Sequence, residues 1–222
     1  MAYNIKHVIF DLDGTISDSK EGITQCMHSA LNMIGADNIP AASSLDWCIG
    51  PPIEKSFATI LNDNREERIA EAVDAYRYCY YEQKGELLDQ PFIGMKAVLQ
   101  QLFDAGYTLY VATLKPQHNA GLILERYGFA HYFSGVFGVE QNGDSDIKYE
   151  IIAHILKRYQ LNKQEVAMIG DREFDLLGAK QNGVMAVAAA YGYGTPDEIQ
   201  KTAPDAICYG PEDILGALSL VH

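Results

Sequence analysis

The sequence predicts an α/β protein in which a parallel β-sheet forms the core and an all-helical segment is inserted after the first strand. Short apolar runs alternate with amphipathic segments from residue 91 onward, and this alternation is typical of repeated βα units. Residues from about 20 to 90 instead carry apolar residues at helical spacing and contain no convincing strand. These observations predict a core of residues 1–16 and 91–222 and a helical insertion of residues 17–90.

The strands of the core are predicted from its apolar runs. The first is HVIFD, at residues 7–11, which precedes the insertion. The others are predicted at residues 107–114, 135–140, 165–171, 184–192 and 205–210. Helical patterns lie at residues 95–106 and 148–160, and residues 211–220 are predicted as a last amphipathic helix. Because helices separate the strands, we expect a parallel sheet that is covered by helices on both faces.

Two helical patterns joined by a turn make up the insertion. Residues 21–35 and 65–85 have helical periodicity. Between them, the stretch IGPPIEKSF contains Pro51 and Pro52, which interrupt a helix because proline lacks an amide hydrogen and clashes with the preceding turn. We therefore predict a turn at Gly50, whose backbone could reach a bound substrate.

Composition and charge argue against several classes of protein. The chain of 222 residues has 30 acidic and 17 basic side chains and a formal net charge of -13, which disfavours nucleic acids and anionic lipids as partners. It has no CxxC or Cys/His cluster, so neither a disulfide framework nor a zinc site is expected. No apolar run has the length of a signal peptide or a membrane helix. We expect a cytoplasmic protein with reduced cysteines, either a monomer or a homodimer.

Two aspartates directly follow the first strand. In VIFDLDGTISDS, at residues 8–19, Asp11 and Asp13 lie two positions apart, so their side chains point to the same side of the strand. Keeping two neighbouring carboxylates ionised without a partner costs free energy. The pattern therefore indicates a bound cation, a shared proton, or both at the end of this strand.

Four further polar residues are predicted at the same edge of the sheet. Thr113 and Asp171 end two other strands, Asp175 follows one helical turn after Asp171, and Lys148 begins a helix. Ligands of open parallel sheets bind at the carboxyl ends of the strands, so these residues can share one site. Each alone also fits a structural role, such as capping a helix or lying on the surface. Their combination indicates a site for Mg²⁺, which prefers oxygen ligands and binds substrate phosphate.

These motifs together resemble those of the haloacid dehalogenase superfamily, whose members are aspartate-nucleophile phosphotransferases. The motifs are DLDGT at residues 11–15, Thr113 in VATLKP, Lys148 in DIKYEII and GDREFDLLGA at residues 170–179. The resemblance covers nearly the whole chain and implies a Rossmann-like core with the insertion as a helical cap. Within the superfamily, the chain is most similar to the phosphoglycolate phosphatases, especially to 5'-nucleotidase-like members.

The resemblance implies a phosphatase that hydrolyses a small phosphorylated metabolite through an aspartyl-phosphate intermediate, with Mg²⁺ as its cofactor. The substrate would be of the phosphoglycolate or nucleoside monophosphate type. Asp11 would be the nucleophile, and Asp13 would protonate the leaving group and then activate water. Thr113 and Lys148 would bind the phosphoryl oxygens.

The resemblance also implies which residues bind the metal and the substrate. The metal ligands would be the carboxylates of Asp11 and Asp171 and the backbone carbonyl of Asp13, with Asp175 bound directly or through water. The substrate contacts would come from Gly14, Thr113, Leu114, Lys148, Gly50 and Arg77. Leu114 departs from the serine or asparagine that members often have at this position, and Arg77 also fits a solvated helix face.

Other functions use a similar set of residues. A haloacid dehalogenase has the same nucleophile but no alkoxide to protonate, so Asp13 argues against it. A phosphomutase would need a sugar-phosphate pocket in the insertion. A phospho-accepting receiver domain also clusters aspartates, a hydroxyl residue and a lysine, but it is far shorter and lacks DGT. A binding protein that has lost catalysis would not be expected to keep every motif residue.

Overall fold

A computed structural model describes residues 4–139 and 148–219. The chain forms two compact units. The core unit consists of Met1–Ser17 and Pro91–His222, and the insertion unit consists of Asp18–Gln90. Across the described parts of the chain, no helix is both long enough and apolar enough to cross a membrane.

The core unit is built on a parallel sheet. The strands of the described residues are β1 (His7–Phe10), β2 (Ser17–Asp18), β3 (Gln90–Pro91), β4 (Thr108–Pro116), β5 (Phe133–Val139), β6 (Val166–Gly170), β7 (Met185–Ala189) and β8 (Ala206–Cys208). Six of them form a sheet in the order β5-β4-β1-β6-β7-β8, and the short strands β2 and β3 pair with each other. Every neighbouring pair in the six-stranded sheet is parallel, which confirms the predicted α/β class.

The helices of the core unit cover the sheet on both faces. In the described residues, the helices are α1 (Lys20–Met33), α2 (Ile53–Leu61) and α3 (Glu66–Arg77) in the insertion unit, and α4 (Met95–Asp104), α5 (Gln117–Arg126), α6 (Lys148–Arg158), α7 (Glu173–Asn182), α8 (Pro196–Thr202) and α9 (Ile214–Ser219) in the core unit. Val8 and Phe10 of β1 belong to an apolar cluster with α4, α5 and α9, whereas Ile9 belongs to a second cluster with α6 and α7. Successive residues of a strand face opposite sides, so a strand buried on both faces is a continuous apolar run.

Some element ends differ from the predicted ones. β4 continues to Pro116, two residues beyond its predicted end, because Pro116 still pairs with Val139 of β5. The strand that was predicted to end at Glu140 begins at Phe133, and Glu140 itself lies outside the described residues. Leu220, the last residue of the predicted C-terminal helix, also lies outside them.

The insertion unit is helical and has apolar packing of its own. Tyr80 is fully buried, and its ring stacks on that of Tyr76 with centroids 5.4 Å apart. The pattern predicted as one helix over residues 65–85 is instead α3 followed by one wide π-helical turn, Tyr78–Glu82. Gly50 has a φ of 102°, a backbone conformation that suits the turn predicted there.

The register of the sheet places the ends of three strands side by side. Phe10, the last residue of β1, lies opposite Val111 of β4 and Ile169 of β6. The residues that come next along these strands therefore lie at one edge of the sheet, and they include Asp11, Thr113 and Asp171. This edge is where the candidate site is found.

Candidate active site

Asp11 is buried at the end of the central strand, and its two carboxylate oxygens have different surroundings. Its amide donates to the carbonyl of Ile169 at 2.9 Å, which fixes the backbone against β6. The amide of Leu12 donates to Oδ1 at 2.7 Å, and the ammonium of Lys148 lies 2.6 Å from the same oxygen. Within residues 4–139 and 148–219, no hydrogen-bond donor reaches Oδ2. One oxygen of Asp11 is thus held in place and the other is available.

Lys148 joins three elements at the centre of the site. It is the first residue of α6, and its side chain is only 3% exposed. Its Nζ lies 2.9 Å from Oδ1 of Asp175 and donates to the carbonyl of Ala112 at 2.9 Å, in addition to its contact with Asp11. Burial alone would lower the pKa of Lys148, but the carboxylates of Asp11 and Asp175 outweigh burial and raise this pKa. The lysine therefore stays charged.

Three buried carboxylates cluster around this lysine. Asp11, Asp171 and Asp175 each offer one oxygen, and these oxygens lie within 4.8 Å of one another. Burial, reinforced by the charge of Asp175 and opposed by Lys148, raises the pKa of Asp11 to about 7. Burial and the charges of Asp175 and Asp11 also raise the pKa of Asp171 well above its usual range. One lysine does not neutralise three carboxylates, so the cluster favours the binding of a proton or a cation.

Backbone amides orient the two carboxylates that follow β6. Asp175 is the third residue of α7, and its Oδ2 accepts a hydrogen bond from the amide of Arg172 at 3.1 Å. Asp171 directly follows β6, and its Oδ2 accepts a hydrogen bond from the amide of Tyr193 at 2.8 Å. The hydroxyl of Thr15 lies 3.5 Å from Oδ1 of Asp171. Each carboxylate therefore has one oxygen that is fixed by the main chain.

The donor set fits a magnesium ion. The three clustered residues supply carboxylate oxygens without any nitrogen or sulfur ligand, and hard cations such as Mg²⁺ prefer such oxygens. Burial, with the charges of the neighbouring carboxylates, raises the pKa values of Asp11 and Asp171, so their ionised forms need a compensating positive charge. A divalent cation would supply the missing positive charge. The predicted ligand Asp13 would contribute its carbonyl beside this cluster.

Asp13 and Thr113 lie near a second lysine, which the sequence analysis did not single out. Nζ of Lys115 lies 3.3 Å from Oδ2 of Asp13, and the Lys115 side chain is only 4% exposed. The other oxygen of Asp13, Oδ1, is buried and has no hydrogen-bond partner among the described residues. The Lys115 amide donates to the hydroxyl oxygen of Thr113 at 3.1 Å. The lysine of the TLKP motif could have been noticed because it comes two residues after Thr113.

Gly14 allows the chain to pass close to Asp171. It has a φ of 83°, and a Cβ at this position would lie 2.3 Å from Oδ2 of Asp171. Any side chain would therefore displace this carboxylate. The predicted close approach of Gly14 to a phosphate group remains a prediction, whereas its close approach to Asp171 is seen in the structure.

Three predicted substrate contacts are not part of this cluster. Leu114 is partly buried and packs against the apolar cluster that includes Ile152. Gly50 and Arg77 belong to the insertion unit. Arg77 is exposed, and its guanidinium lies 3.7 Å from Glu54 and 3.9 Å from Asp74. Their predicted contacts with substrate remain predictions.

The segment that follows β7 also contributes to the site, although no role was predicted for it. Tyr191 and Gly192 were expected at the end of the strand predicted over residues 184–192, whereas β7 ends at Ala189. The hydroxyl of Tyr191 donates to the carbonyl of Thr15 at 3.0 Å, and Tyr193 supplies the amide that binds Asp171. The signal that could have revealed it is the run YGYG, directly after a strand that ends at the same edge of the sheet.

Comparison with known proteins identifies the family. A profile of the family described as haloacid dehalogenase-like hydrolase matches residues 8–189. The chain belongs to this family. The resemblance seen in the four sequence motifs is thereby confirmed, and so is the α/β fold that it implied.

The relatives within the haloacid dehalogenase-like hydrolases carry different names. A 5'-nucleotidase from Pseudomonas aeruginosa is 37% identical over 207 residues, which cover 93% of this chain and 92% of the relative. The tyrosine-protein kinase PtkA of Mycobacterium tuberculosis is 34% identical over 203 residues, 91% of this chain and 68% of PtkA. A phosphoglycolate phosphatase from Vibrio cholerae is 29% identical over 210 residues, 92% of each chain.

The fold has solved counterparts. The structure of a haloacid dehalogenase-like family hydrolase from Streptococcus pneumoniae superposes with a TM-score of 0.87 at 32% identity and covers 96% of this chain and 97% of that one. The similarity extends over both the core and the insertion in sequence. It shows a hydrolase of the same family with the same architecture, and it does not by itself define the reaction of this chain.

Proposed function

We propose that the protein is a Mg²⁺-dependent phosphatase that hydrolyses a small phosphorylated metabolite through an aspartyl-phosphate on Asp11. The observation that carries the proposal is the difference between the two oxygens of Asp11. Lys148 and the Leu12 amide engage Oδ1, which leaves Oδ2 to attack phosphorus. Membership of the haloacid dehalogenase-like hydrolases supports the same reaction class.

In the first step, Oδ2 of Asp11 forms a bond to phosphorus while the bond from phosphorus to the leaving oxygen breaks. The leaving alkoxide takes a proton from the carboxyl group of Asp13. The charged Lys148 stabilises the negative charge that spreads over the phosphoryl oxygens. The hydroxyl oxygen of Thr113 already accepts the Lys115 amide, so its hydrogen is left to donate to the phosphoryl group.

In the second step, water attacks the phosphorus of the aspartyl-phosphate. Asp13, now ionised, takes a proton from this water, and the bond between phosphorus and Asp11 breaks to release inorganic phosphate. The step restores the carboxylate of Asp11 and the proton on Asp13. Between the two steps, the Lys115 ammonium at 3.3 Å stabilises the ionised form of Asp13.

The acidic cluster is the proposed binding site of the metal ion. The carboxylates of Asp11 and Asp171 and the carbonyl of Asp13 would hold Mg²⁺, and Asp175 would bind it directly or through water. When bound, Mg²⁺ supplies positive charge that offsets the carboxylates and the transferring phosphoryl group. Without a cation, the buried carboxylates would repel a phosphate ester.

We propose a class of substrates, small phosphate esters, rather than one compound. Phosphoglycolate and nucleoside monophosphates are the first candidates because relatives carry the names phosphoglycolate phosphatase and 5'-nucleotidase. The net charge of -13 agrees with a small substrate rather than a nucleic acid polymer. A cytoplasmic location and a monomeric or homodimeric state remain predictions.

One relative favours a second candidate function. The relative named tyrosine-protein kinase PtkA is 34% identical to this chain. A phosphoryl group held on Asp11 can also be passed to an acceptor other than water, as in a kinase or a phosphomutase. Dehalogenation is less consistent with the site because it would leave Asp13 without a leaving group to protonate.

Release of inorganic phosphate tests these proposals. The purified protein is incubated with p-nitrophenyl phosphate, phosphoglycolate, nucleoside monophosphates and sugar phosphates, in Mg²⁺ or in EDTA. We expect hydrolysis only with Mg²⁺, and we expect Asp104→Asn, which alters an exposed carboxylate at the end of α4, to behave like the wild type. Phosphate release that persists in EDTA would remove the metal from the mechanism. An isomerised sugar phosphate, or phosphotyrosine formed on an added tyrosine-containing peptide, in place of free phosphate would favour transfer over hydrolysis.

A further inference from the structure

The segment Tyr191–Gly194 lies against the acidic cluster, although no catalytic or metal-binding role was predicted for it. It follows β7, whose carboxyl end is at the same edge of the sheet as those of β1 and β6. Its sequence, YGYG, alternates aromatic residues with glycines. We call it the YGYG segment.

The two glycines of the YGYG segment are packed against the main chain of the site. A Cβ on Gly192 would lie 2.2 Å from the carbonyl oxygen of Gly14 and 2.4 Å from Cβ of Asp171. A Cβ on Gly194 would lie 1.9 Å from the carbonyl oxygen of Asp171. Backbone atoms cannot move aside as the end of a side chain can, so even alanine would displace Asp171 or the segment itself.

The hydrogen bonds of the YGYG segment reach both neighbouring strand ends. The Tyr193 amide donates to Oδ2 of Asp171 at 2.8 Å. The Tyr191 hydroxyl donates to the carbonyl of Thr15 at 3.0 Å, and the Thr15 hydroxyl is itself 3.5 Å from Oδ1 of Asp171. The segment thus connects the loop after β1 to the carboxylate after β6.

Helix α8 anchors the far end of the segment to the residues that follow Asp171. The carboxylate of Glu198 accepts hydrogen bonds from Nε of Arg172 at 2.9 Å and from the amide of Glu173 at 2.8 Å. The Arg172 and Glu198 side chains are only 12% and 13% exposed, so water screens this ion pair weakly. The YGYG segment is therefore fixed at both ends next to Asp171.

We propose that the YGYG segment is a positioning element for the metal site, and that it sets the affinity for Mg²⁺ by orienting the carboxylate of Asp171. The Tyr193 amide fixes Oδ2, and Oδ1 of Asp171, which accepts only a long hydrogen bond from the Thr15 hydroxyl among the described residues, would face a cation together with Asp11 and Asp175. Groups that orient a metal ligand commonly change metal affinity by about 10- to 100-fold when they are altered. This inference rests on the proposed function, because it takes Asp171 to be a ligand of Mg²⁺.

Two variants of the full chain test the inference, with a third as control. Gly194→Ala removes the space beside Asp171, and Tyr191→Phe removes only the hydroxyl that binds Thr15. Gly216→Ala is the control, because a Cβ on Gly216 of α9 meets nothing within 4 Å. Binding of Mn²⁺ to the metal-free proteins is measured by electron paramagnetic resonance, and binding of Mg²⁺ by the shift in thermal unfolding.

We expect Gly194→Ala to weaken Mn²⁺ and Mg²⁺ binding by about 10- to 100-fold and Tyr191→Phe to weaken it by about 2- to 10-fold, as expected for one hydrogen bond. Gly216→Ala should bind both metals like the wild type. In activity assays, the Mg²⁺ concentration for half-maximal rate should rise, saturating Mg²⁺ should restore most of kcat, and the KM for substrate should stay unchanged. A merely structural defect would lower the fraction of folded protein but leave the Mn²⁺ affinity of the folded protein unchanged.

Folded Tyr191→Phe and Gly194→Ala proteins that bind Mn²⁺ as tightly as the wild type would overturn the inference and leave the proposed function intact. If Gly194→Ala does not fold, Tyr191→Phe alone decides in the same way. A wild-type protein that hydrolyses phosphate esters but binds neither metal would overturn both the inference and the metal dependence of the proposed function.

Discussion

Asp11 carries two oxygens that are chemically equivalent in a free carboxylate and unequal in this protein. Oδ1 lies within 2.7 Å of both the Leu12 amide and the Lys148 ammonium, whereas Oδ2 is approached by no donor of the described residues. A carboxylate with both oxygens engaged by donors would be a poorer nucleophile. The arrangement therefore orients Asp11 and leaves Oδ2 able to act as the nucleophile.

Replacement of Asp11 by asparagine should abolish turnover. The change keeps the shape of the side chain but removes the nucleophile, so we expect kcat to fall by at least about 10³-fold, since loss of a covalent nucleophile costs several orders of magnitude. The wild type, quenched with acid during turnover, should carry a phosphoryl group that hydroxylamine removes, and Asp11→Asn should not. A phosphoryl group found on another residue would contradict the assignment.

The carboxylate cluster should make stability depend on pH and on Mg²⁺ together. The pKa of Asp11 is raised to about 7 by burial and by Asp175 against the opposing effect of Lys148, and the pKa of Asp171 is also raised. A raised folded-state pKa means that the unfolded chain loses its proton first. The stability that Asp11 contributes at about pH 4 is then lost as the pH rises through about 7, and the contribution of Asp171 changes in the same direction.

Thermal unfolding at pH 5 and pH 7.5, in EDTA and in saturating Mg²⁺, measures this dependence. Protons compete with the metal at the lower pH, so Mg²⁺ should raise the unfolding temperature more at pH 7.5 than at pH 5. The difference should shrink in Asp11→Asn, which cannot ionise at this position. An equal Mg²⁺ effect at both pH values would argue against metal binding by these carboxylates.

The proximity of Asp11, Lys148, Asp171 and Asp175 could be predicted from the sequence, because the carboxyl ends of parallel strands meet at one edge. The part played by Lys115 and by the YGYG segment could not. Lys115 reaches Asp13 only because β4 continues through it, and Tyr193 acts through its backbone amide, which every residue type possesses. The Tyr193 contact depends on the path of a loop rather than on the identity of a side chain.

Among the elements, the strands were easier to predict than the bends. A strand buried on both faces is an apolar run, and β1, β6 and β7 are all of this kind. No single apolar run predicts the order of the strands in the sheet, because this order depends on how the connections between strands pack. The π-helical turn Tyr78–Glu82 carries the same helical spacing as α3 before it, so periodicity does not distinguish the two.

Two glycines in helices should respond in opposite ways to alanine. A Cβ on Gly22 of α1 would lie 2.2 Å from Oδ1 of the buried Asp89 and 2.8 Å from the carbonyl of Gly85, whereas a Cβ on Gly121 of α5 meets nothing within 4 Å. We expect Gly121→Ala to stabilise the protein by roughly 0.5–1 kcal/mol, the usual gain in helix propensity. Gly22→Ala should destabilise it by about 1–3 kcal/mol through overpacking.

Urea unfolding of both glycine variants and the wild type provides the comparison, since the two changes are chemically identical and differ only in their surroundings. If Gly22→Ala also stabilised the protein, helix propensity would outweigh the packing against Asp89, and the close contact in the insertion unit would carry little energy.

For the whole molecule, relatives with similar sequences carry names of different activities. A 5'-nucleotidase and a protein named tyrosine-protein kinase PtkA share this family with the chain at 37% and 34% identity. The same fold and family therefore accompany different named reactions. In this chain, all the residues proposed for chemistry lie in the core unit, and Gly50 and Arg77 lie in the insertion unit.

We therefore expect substitutions in the insertion unit to change the preference among substrates, and substitutions in the core unit to lower kcat/KM for all substrates alike. Arg77→Ala should change the ranking of kcat/KM among phosphoglycolate, nucleoside monophosphates and sugar phosphates, because this residue is predicted to contact the part of the substrate that varies. Arg65→Ala is the matched control, since Arg65 is also an exposed arginine of the insertion unit. Lys148→Ala should instead lower kcat/KM for every substrate by a similar factor, because Lys148 is proposed to bind the phosphoryl group common to all of them. An Arg77 variant that lowered all substrates equally would remove Arg77 from substrate selection, and a Lys148 variant that reordered them would contradict its role at the phosphoryl group.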